Sequence, residues 1–325
     1  LSIGVDNQAP LALPFRPYVL PSGWTRTNCF DIRWFQNPQD CSGIAGAYYS
    51  FAVPVSATDG TLVLGDNLTS IPCIQVPDSL GDGLRTVYVW LRDKAGNSDH
   101  LTSHAVVVAL DRAPPELVPQ VAGTQCGTAG WYNSPITVTF VATDDLSGMA
   151  GGVISYQVNG GGWITGSRYV ENRDGRYVIE ARAQDVAGNI TEIVTRSLKL
   201  DRTAPDAPPS VWVEPSGWSK TGQFTVHWVN PSDLSGLGGV YLKLGSPPAF
   251  PADGIYYDGV QSSLMVNAAQ EGAIPAYIWL VDKACNSNYQ QWAMATLRYD
   301  VTPPTTTYAA LGLSLIHISE PTRPY

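Results

Sequence analysis

Short segments of the chain alternate apolar and polar side chains, which is the pattern of a half-buried β-strand. Three of them have nearly the same form: Phe-Asp-Ile-Arg-Trp at 30–34, Ile-Thr-Val-Thr-Phe at 136–140 and Phe-Thr-Val-His-Trp at 224–228. No window keeps the 3.6-residue apolar period of an amphipathic helix. The pattern therefore predicts an all-β chain with almost no helix.

These segments belong to an internal repeat. The form Asp-x-Ala-Gly-Asn occurs at 93–97 and 185–189, and again at 282–286 with Cys285 in place of glycine. Three further markers keep step with it: a Gly-Trp pair that opens each unit, an acidic Ser-Gly turn, and a last strand that ends in Asp shortly before Pro. The period of about 90–100 residues matches a whole sandwich domain. We therefore expect three tandem immunoglobulin-like antiparallel β-sandwiches in an extended array.

The markers also give the expected boundaries. Residues 1–10 read as the end of a preceding repeat, because Asp6 and Pro10 are spaced like Asp201 and Pro205. The prolines at the junctions fix φ and predict short, semi-rigid linkers. The expected repeats are 11–113, 114–204 and 205–303, with the start of a further repeat at 304–312.

The last thirteen residues, 313–325, break the pattern. From Leu313 to Arg323 they resemble the translation of a sequencing-library adapter. We expect them to be a non-native artefact on a fragment of metagenomic origin.

The second unit carries a family resemblance. Its Gly130-Trp131 pair, its Gly-Gly-Trp segment at 161–163, its 185–189 turn and its closing Asp201 to Pro205 segment resemble bacterial Ig-like repeats of the OmpL47 or fibronectin III type. Such repeats occur in secreted and surface proteins, and the resemblance implies that location and this fold. It implies no reaction.

Composition narrows the function classes. The net charge is −9 and no Lys/Arg run occurs, which argues against nucleic-acid binding. The chain has no stretch of 18 apolar residues, so the sequence predicts no membrane-spanning helix. The histidines before the adapter-like segment match no catalytic motif. We expect no enzyme, no catalytic residue and no required cofactor.

Aromatic side chains suggest one binding surface. Tyr88 and Trp90 share a strand face, as do Tyr277 and Trp279, while Glu180 and Arg182 stand at the matching places of the second repeat. If the intervening aliphatic residues face the core, the rings form an outward ledge that can stack on sugars. The alternative is that the rings are buried, or are covered by insertions near 55–80 and 246–269.

Acidic turns suggest calcium, which binds six to eight oxygen ligands. Aspartates at the ends of repeats lie near those of the repeated turns in such a fold, although an Asp in a turn more often caps backbone N–H groups. The candidate ligands are Asp93, Asp111, Asp144, Asp145, Asp185 and Asp201.

The five cysteines leave at least one unpaired within the chain. The candidates for a disulfide are Cys29, Cys41 and Cys73, paired as Cys41–Cys73 or Cys29–Cys41. A disulfide would suit an extracellular or cell-surface setting.

Together these features favour a non-catalytic spacer or adhesion-type region of a secreted or cell-surface bacterial protein. Its expected partners are other domains of the same chain, with an extracellular polysaccharide or a surface protein as further candidates. Two alternatives remain open: a carbohydrate-binding accessory region of an extracellular glycoside hydrolase, and a calcium-stiffened adhesin stalk.

Overall fold

A computed structural model of the chain describes residues 4–126 and 129–306. Residues 1–3, the expected start of a further repeat beyond residue 306 and the adapter-like segment 313–325 lie outside the described residues. The described ranges consist of strands and loops, with 3₁₀ turns at Asp78–Leu80 and His100–Thr102. Across these ranges the chain forms no helix that is long and apolar enough to cross a membrane. The prediction of an all-β chain is confirmed.

The first repeat is a sandwich of two sheets, one with strand order β1-β3-β6 and the other with order β2-β8-β7-β4-β5. All pairs are antiparallel except the short parallel pair of β2 with β8. Its strands are β1 (Tyr18–Leu20), β2 (Trp24–Thr25), β3 (Phe30–Arg33), β4 (Ile44–Ser50), β5 (Thr61–Leu64), β6 (Ser70–Ile74), β7 (Gly83–Asp93) and β8 (His104–Leu110).

The second repeat has the same strand order with one added edge strand, β10; its sheets are β15-β12-β9 and β10-β11-β17-β16-β13-β14. Again one short pair, β11 with β17, is parallel. Its strands are β9 (Glu116–Ala122), β10 (Gln125–Cys126), β11 (Trp131–Tyr132), β12 (Ile136–Thr143), β13 (Val153–Val158), β14 (Ile164–Thr165), β15 (Arg168–Glu171), β16 (Gly175–Gln184) and β17 (Val194–Leu200).

The third repeat forms sheets β18-β19-β22 and β21-β20-β23-β24. The chain divides into two compact units, of which the first, up to Arg202, holds repeats one and two and the second, from Thr203, holds repeat three. The strands of the third repeat are β18 (Val211–Glu214), β19 (Gln223–Trp228), β20 (Leu237–Leu244), β21 (Ile255–Asp258), β22 (Ser263–Asn267), β23 (Gly272–Asp282) and β24 (Ala293–Tyr299).

Each repeat has its own core, built from the inward positions of both sheets. In the first repeat Phe30, Ile32 and Trp34 are buried and pack with Val89 and Leu91 from the facing sheet. Equivalent clusters form around Phe140 in the second repeat and Phe224 in the third. The alternating segments thus bury one face of each strand, as a half-buried strand does.

The aromatic rings on the opposite face do not form an exposed ledge. Trp90 is 1% exposed, because its ring stacks on Tyr48 with centroids 5.4 Å apart and its Nε1–H donates to the carbonyl of Ala57 at 2.9 Å. Tyr88 is half-buried. Ala57 belongs to the β4–β5 loop of the inserted segment. This loop therefore covers the Trp90 ring and leaves no exposed face on which a sugar could stack.

The third repeat builds the same cover. Trp279 is fully buried, stacks on Tyr241 at 5.1 Å and donates from Nε1 to the carbonyl of Pro251 at 3.2 Å. Tyr277 is buried against the edge of Trp292. The exposed ledge of Tyr88, Trp90, Tyr277 and Trp279 therefore does not form; the alternative, that the rings are buried or are covered by the inserted loops, is the one that the structure bears out for Trp90 and Trp279.

The second repeat reverses the arrangement. Arg182 occupies the strand position of the two tryptophans and pairs with Ser155 across the ladder. Its guanidinium lies 4.2 Å from the ring centroid of Trp163, which the β13–β14 loop supplies. A cation–π contact therefore replaces the buried stack, with the aromatic ring on the loop instead of the strand.

A disulfide joins Cys29 to Cys73, so neither pairing expected for these cysteines, Cys41–Cys73 or Cys29–Cys41, is correct. Cys29 immediately precedes β3, and Cys73 lies in β6, which pairs with β3 through Phe30 and Ile74. Sheet pairing brings these two sulfur atoms together across 44 residues of sequence. Cys41 is a free, exposed cysteine in the acidic turn.

The loop over Trp279 gives a test of this packing. A Cβ atom on Gly254 would lie 2.6 Å from the Trp279 ring and 2.9 Å from the carbonyl of Leu242. We expect Gly254→Ala to destabilise the third repeat by about 1–3 kcal/mol, since overpacking forces the loop away. Scanning calorimetry of the whole chain measures the change. Gly162→Ala is the control, because no atom lies within 4 Å of its Cβ position; equal transitions for the two variants would contradict the packing.

Candidate metal centres at the repeat heads

Two turns meet at one end of each repeat, which we call its head. One is the acidic Ser-Gly turn before β4, β13 or β20, and the other is the Asp-x-Ala-Gly-Asn turn after β7, β16 or β23. Strands β4 and β7 are paired, with Ile44 opposite Asp93. The sheet register therefore places the turns side by side, and Lys94 N–H donates to the carbonyl of Gly43 at 2.9 Å.

The Asp-x-Ala-Gly-Asn turn closes on its own first residue. Asp185 is 4% exposed, and its two carboxylate oxygens accept from the backbone N–H and the side-chain Nδ2 of Asn189, both at 2.8 Å. Asp93 with Asn97 and Asp282 with Asn286 do the same. A buried carboxylate needs such partners, which explains why Asp and Asn recur together.

The third turn keeps this geometry with cysteine in place of glycine. Cys285 has φ +65°, against +91° for Gly188, and its N–H donates to the carbonyl of Asp282 at 3.2 Å, as Gly188 does to Asp185 at 3.4 Å. Cys285 in place of glycine suggests a shifted or strained turn; the hydrogen bond is not shifted, and the strain is present, because a non-glycine residue stands at positive φ.

The acidic Ser-Gly turn also folds around a carboxylate. Asp40 Oδ1 accepts from Ser42 N–H, Ser42 Oγ–H and Gly43 N–H at 2.9–3.2 Å. In the second repeat Asp144 plays this part with Ser147 and Gly148. Asp145, the residue that matches Asp40 by sequence spacing, is exposed, because this turn is one residue longer.

A third aspartate enters each of the first two heads from the segment before the repeat. Asp111 Oδ2 accepts from Ser147 N–H at 3.1 Å, and the main-chain carbonyl of Asp111 accepts from Asn189 Nδ2 at 3.0 Å. Asp6 makes the same two contacts with Ser42 and Asn97, both at 3.0 Å. We call this pair of hydrogen bonds the junction clamp.

The clamp gathers three carboxylates at each of these heads. Asp6, Asp40 and Asp93 form one cluster, and Asp111, Asp144 and Asp185 form the other, with one oxygen of each residue within 4.8 Å of the others in its cluster. Asp6 and Asp40 were not among the ligands predicted from the sequence, although both stand at repeated positions, Asp6 like Asp201 before a proline and Asp40 in the acidic Ser-Gly turn. Asp201, the remaining candidate, directly follows β17, and its N–H donates to the carbonyl of Tyr132 at 2.9 Å.

These clusters concentrate negative charge without basic neighbours. Among the described residues no Lys, Arg or His nitrogen lies within 4.0 Å of their six carboxylates. At 4.8 Å two unit charges repel by about 3 kcal/mol at an effective dielectric constant near 20, and Asp111 and Asp185 are both buried. Hydrogen bonds from Gln8 N–H and then from Ser42 hold the pKa of Asp6 below its ordinary value. An all-oxygen donor set of this charge suits a hard cation such as Ca²⁺.

Comparisons with known proteins add little to this site. No family model matches the chain, and no curated protein matches it. Domains FN1–FN3 of chicken CNTN1 align over 89% of this chain and 100% of theirs, at 13% identity and a TM-score of 0.34. Domains A168–A170 of titin align over 86% and 95%, at 14% identity and a TM-score of 0.31. With scores this low, the architecture is established by the sheets described above.

The Asn189 amide offers a direct test of the head. In Asn189→Asp a carboxylate oxygen replaces the Nδ2 that donates to Asp185 and to the Asp111 carbonyl, so acceptors face acceptors in a buried site. We expect a loss of about 2–4 kcal/mol in the stability of the second repeat, measured by denaturant unfolding at neutral pH. Asn159→Asp is the matched control, because the Asn159 side chain uses its oxygen to accept from Val178 N–H. A similar loss in both variants would argue against the clamp.

Proposed function

We propose that the chain is a non-catalytic structural region of an extracellular protein, which holds neighbouring parts of that protein at a fixed orientation. The observation that carries the proposal is the junction clamp, which recurs with the same atoms at Asp6 and at Asp111. A spacer needs consecutive repeats to be fixed to one another. The hydrogen bonds of the clamp join repeat two to the end of repeat one in this way.

The segment after Asp111 supports the same role. Arg112 donates from its backbone N–H to Asp82 Oδ2 at 2.7 Å and from Nε to Asp82 Oδ1 at 2.8 Å, which holds the start of the linker against the first repeat. Across the junction, Arg26 Nη1 of the first repeat donates to the carbonyl of Gly188 in the second repeat at 3.2 Å. Pro114 and Pro115 then limit the backbone. Few rotatable bonds remain free between the two sandwiches.

The extracellular location is supported by chemistry of the first repeat. The Cys29–Cys73 disulfide persists in oxidising compartments and is rare in reducing ones. The low share of charged residues, 14%, agrees with this setting.

Spin-label distances between repeats one and two test the proposal. In a Cys41→Ser background, Val107→Cys and Val178→Cys place labels on exposed strand positions of the two repeats. We expect a single narrow distance distribution, and a distribution at least twofold broader after Asn189→Ala removes one clamp bond. Asn172→Ala, an exposed site outside the clamp, is the control. A broad distribution with the clamp intact would contradict a fixed spacer.

A second candidate function is calcium binding at the same junctions, as in a calcium-stiffened adhesin stalk. It is favoured by the charge of the clusters, because three carboxylates within 4.8 Å with no basic partner are stabilised by a cation. Extracellular modules bind calcium at about 10⁻⁴–10⁻³ M. Bound calcium would add a bridge from the preceding segment to both turns of the head.

Two adjacent aspartates make a matched test of calcium binding. Asp144 belongs to the cluster and Asp145 does not. Calorimetric titration with calcium up to about 10 mM should show one bound equivalent fewer in Asp144→Asn than in Asp145→Asn, since asparagine keeps the turn's hydrogen-bond acceptor but lacks the charge. The unaltered chain should also melt at a higher temperature with calcium. No heat and no change in melting temperature would remove this candidate and leave the spacer proposal standing.

A further inference from the structure

The end of the third repeat opposite its head is built like the corresponding end of the first repeat, which we call the foot. At the first foot, Asp111 N–H donates to the carbonyl of Thr25 at 3.0 Å, and at the third, Asp300 N–H donates to the carbonyl of Ser219 at 3.0 Å. Asp111 Oδ1 accepts from Ala113 N–H at 3.0 Å, and Asp300 Oδ1 accepts from Thr302 N–H at 3.1 Å. The two aspartates therefore have the same local conformation.

The peptide after each of these aspartates is held in the same way. Just as Asp82 binds Arg112 N–H, Glu271 Oε1 accepts from Val301 N–H at 2.8 Å. Glu271 Oε2 also accepts from Thr302 Oγ1–H at 2.6 Å. An acidic side chain from the loop before β7 or β23 thus fixes the exit from both repeats.

The two feet differ in what they bind. Asp111 is fully buried, because its carbonyl and Oδ2 accept from Asn189 and Ser147 of the next head. Asp300 is exposed, and within the described ranges neither its carbonyl nor its Oδ2 accepts a hydrogen bond. Exposed Lys220 stands at the sequence position of Arg26, which donates to Gly188 of that head. Within the described ranges the third foot therefore presents two acceptors, the carbonyl and Oδ2 of Asp300, and one cation, Lys220. At the first junction the matching groups bind a serine N–H, an asparagine Nδ2 and a glycine carbonyl of the next head.

We propose that the foot of the third repeat, formed by Lys220, Glu271 and Asp300–Thr302, is a docking surface for the head of another repeat of this type. The occupant has an acidic Ser-Gly turn, whose Ser N–H reaches Asp300 Oδ2, and an Asp-x-Ala-Gly-Asn turn, whose Asn Nδ2 reaches the Asp300 carbonyl. Lys220 binds the carbonyl of its turn glycine. Because Asp6 and Asp111 already fill the first two heads of this chain, the occupant is a head whose clamp is empty.

An extended chain tests the proposal. Residues 1–302 are followed directly by a second copy of residues 114–202, so that Asp300, Val301 and Thr302 take the places of Asp111, Arg112 and Ala113 before the appended head. Labels are placed by Met265→Cys in the third repeat and by Val178→Cys in the appended copy, whose Cys126 is replaced by serine; Cys41→Ser removes the free thiol. The distance distribution is measured in EDTA, so that the clamp is tested without calcium.

We expect a distribution as narrow as that between repeats one and two. Asp300→Ala, and separately Asn189→Ala in the appended copy, should each broaden it at least twofold, whereas Asp258→Ala, on β21, should not. In the original chain Asp300→Ala should lower the melting temperature only slightly, because the hydrogen bond that it removes, from Thr302 N–H, is exposed there. A broad distribution in the unaltered extended chain, or a narrow one after both clamp substitutions, would overturn the proposal. The distance between repeats one and two, measured separately, reports on the spacer proposal independently.

Discussion

The architecture depends on a buried carboxylate in a tight turn. An ionised Asp inside a protein is tolerated only when hydrogen bonds replace the water that it loses. Asp185 obtains two such bonds from Asn189, four residues later. The Asn189 amide then uses its remaining N–H on the carbonyl of Asp111, so the requirement of one buried charge orders the turn and joins it to the preceding repeat.

The junction clamp and the carboxylate cluster share residues, but the clamp depends on their hydrogen bonds and the cluster on their charge. In the cluster of Asp111, Asp144 and Asp185, hydrogen bonds occupy some oxygen lone pairs and leave the net charge of three carboxylates uncompensated. The hydrogen bonds orient the carboxylates and the turns relative to one another. A bound cation would neutralise their charge and would tolerate a wider range of ligand geometries. A fixed orientation of the two repeats and an affinity for calcium are therefore separate properties of one site. Either the spacer proposal or the calcium proposal can be wrong without affecting the other.

The outer faces of the repeats show how one backbone accepts different covers. In repeats one and three a strand tryptophan lies under a loop that carries a close glycine, Gly60 or Gly254. In repeat two a strand arginine lies under a loop tryptophan. Both arrangements shield a strand position beside the core. In each one the strand residue and the covering loop are matched, so the repeats differ at both places. The Gly-Gly-Trp segment of repeat two and the insertions of the other repeats are alternative forms of this cover.

The strands, the repeat and the inward faces were predictable from the sequence, because alternation and turn residues act over a few neighbours. It also identified Asp93, Asp111, Asp144 and Asp185 as candidate ligands. Tertiary structure decided the rest, since each remaining point depends on residues far apart in sequence. The Cys29–Cys73 pair depends on sheet register, and the burial of Trp90 depends on where its loop folds. The choice of Asp144 over Asp145 depends on which of them lies beside Asp111 and Asp185. Periodicity reports which face of a strand a residue occupies, whereas only the packed chain shows what covers that face.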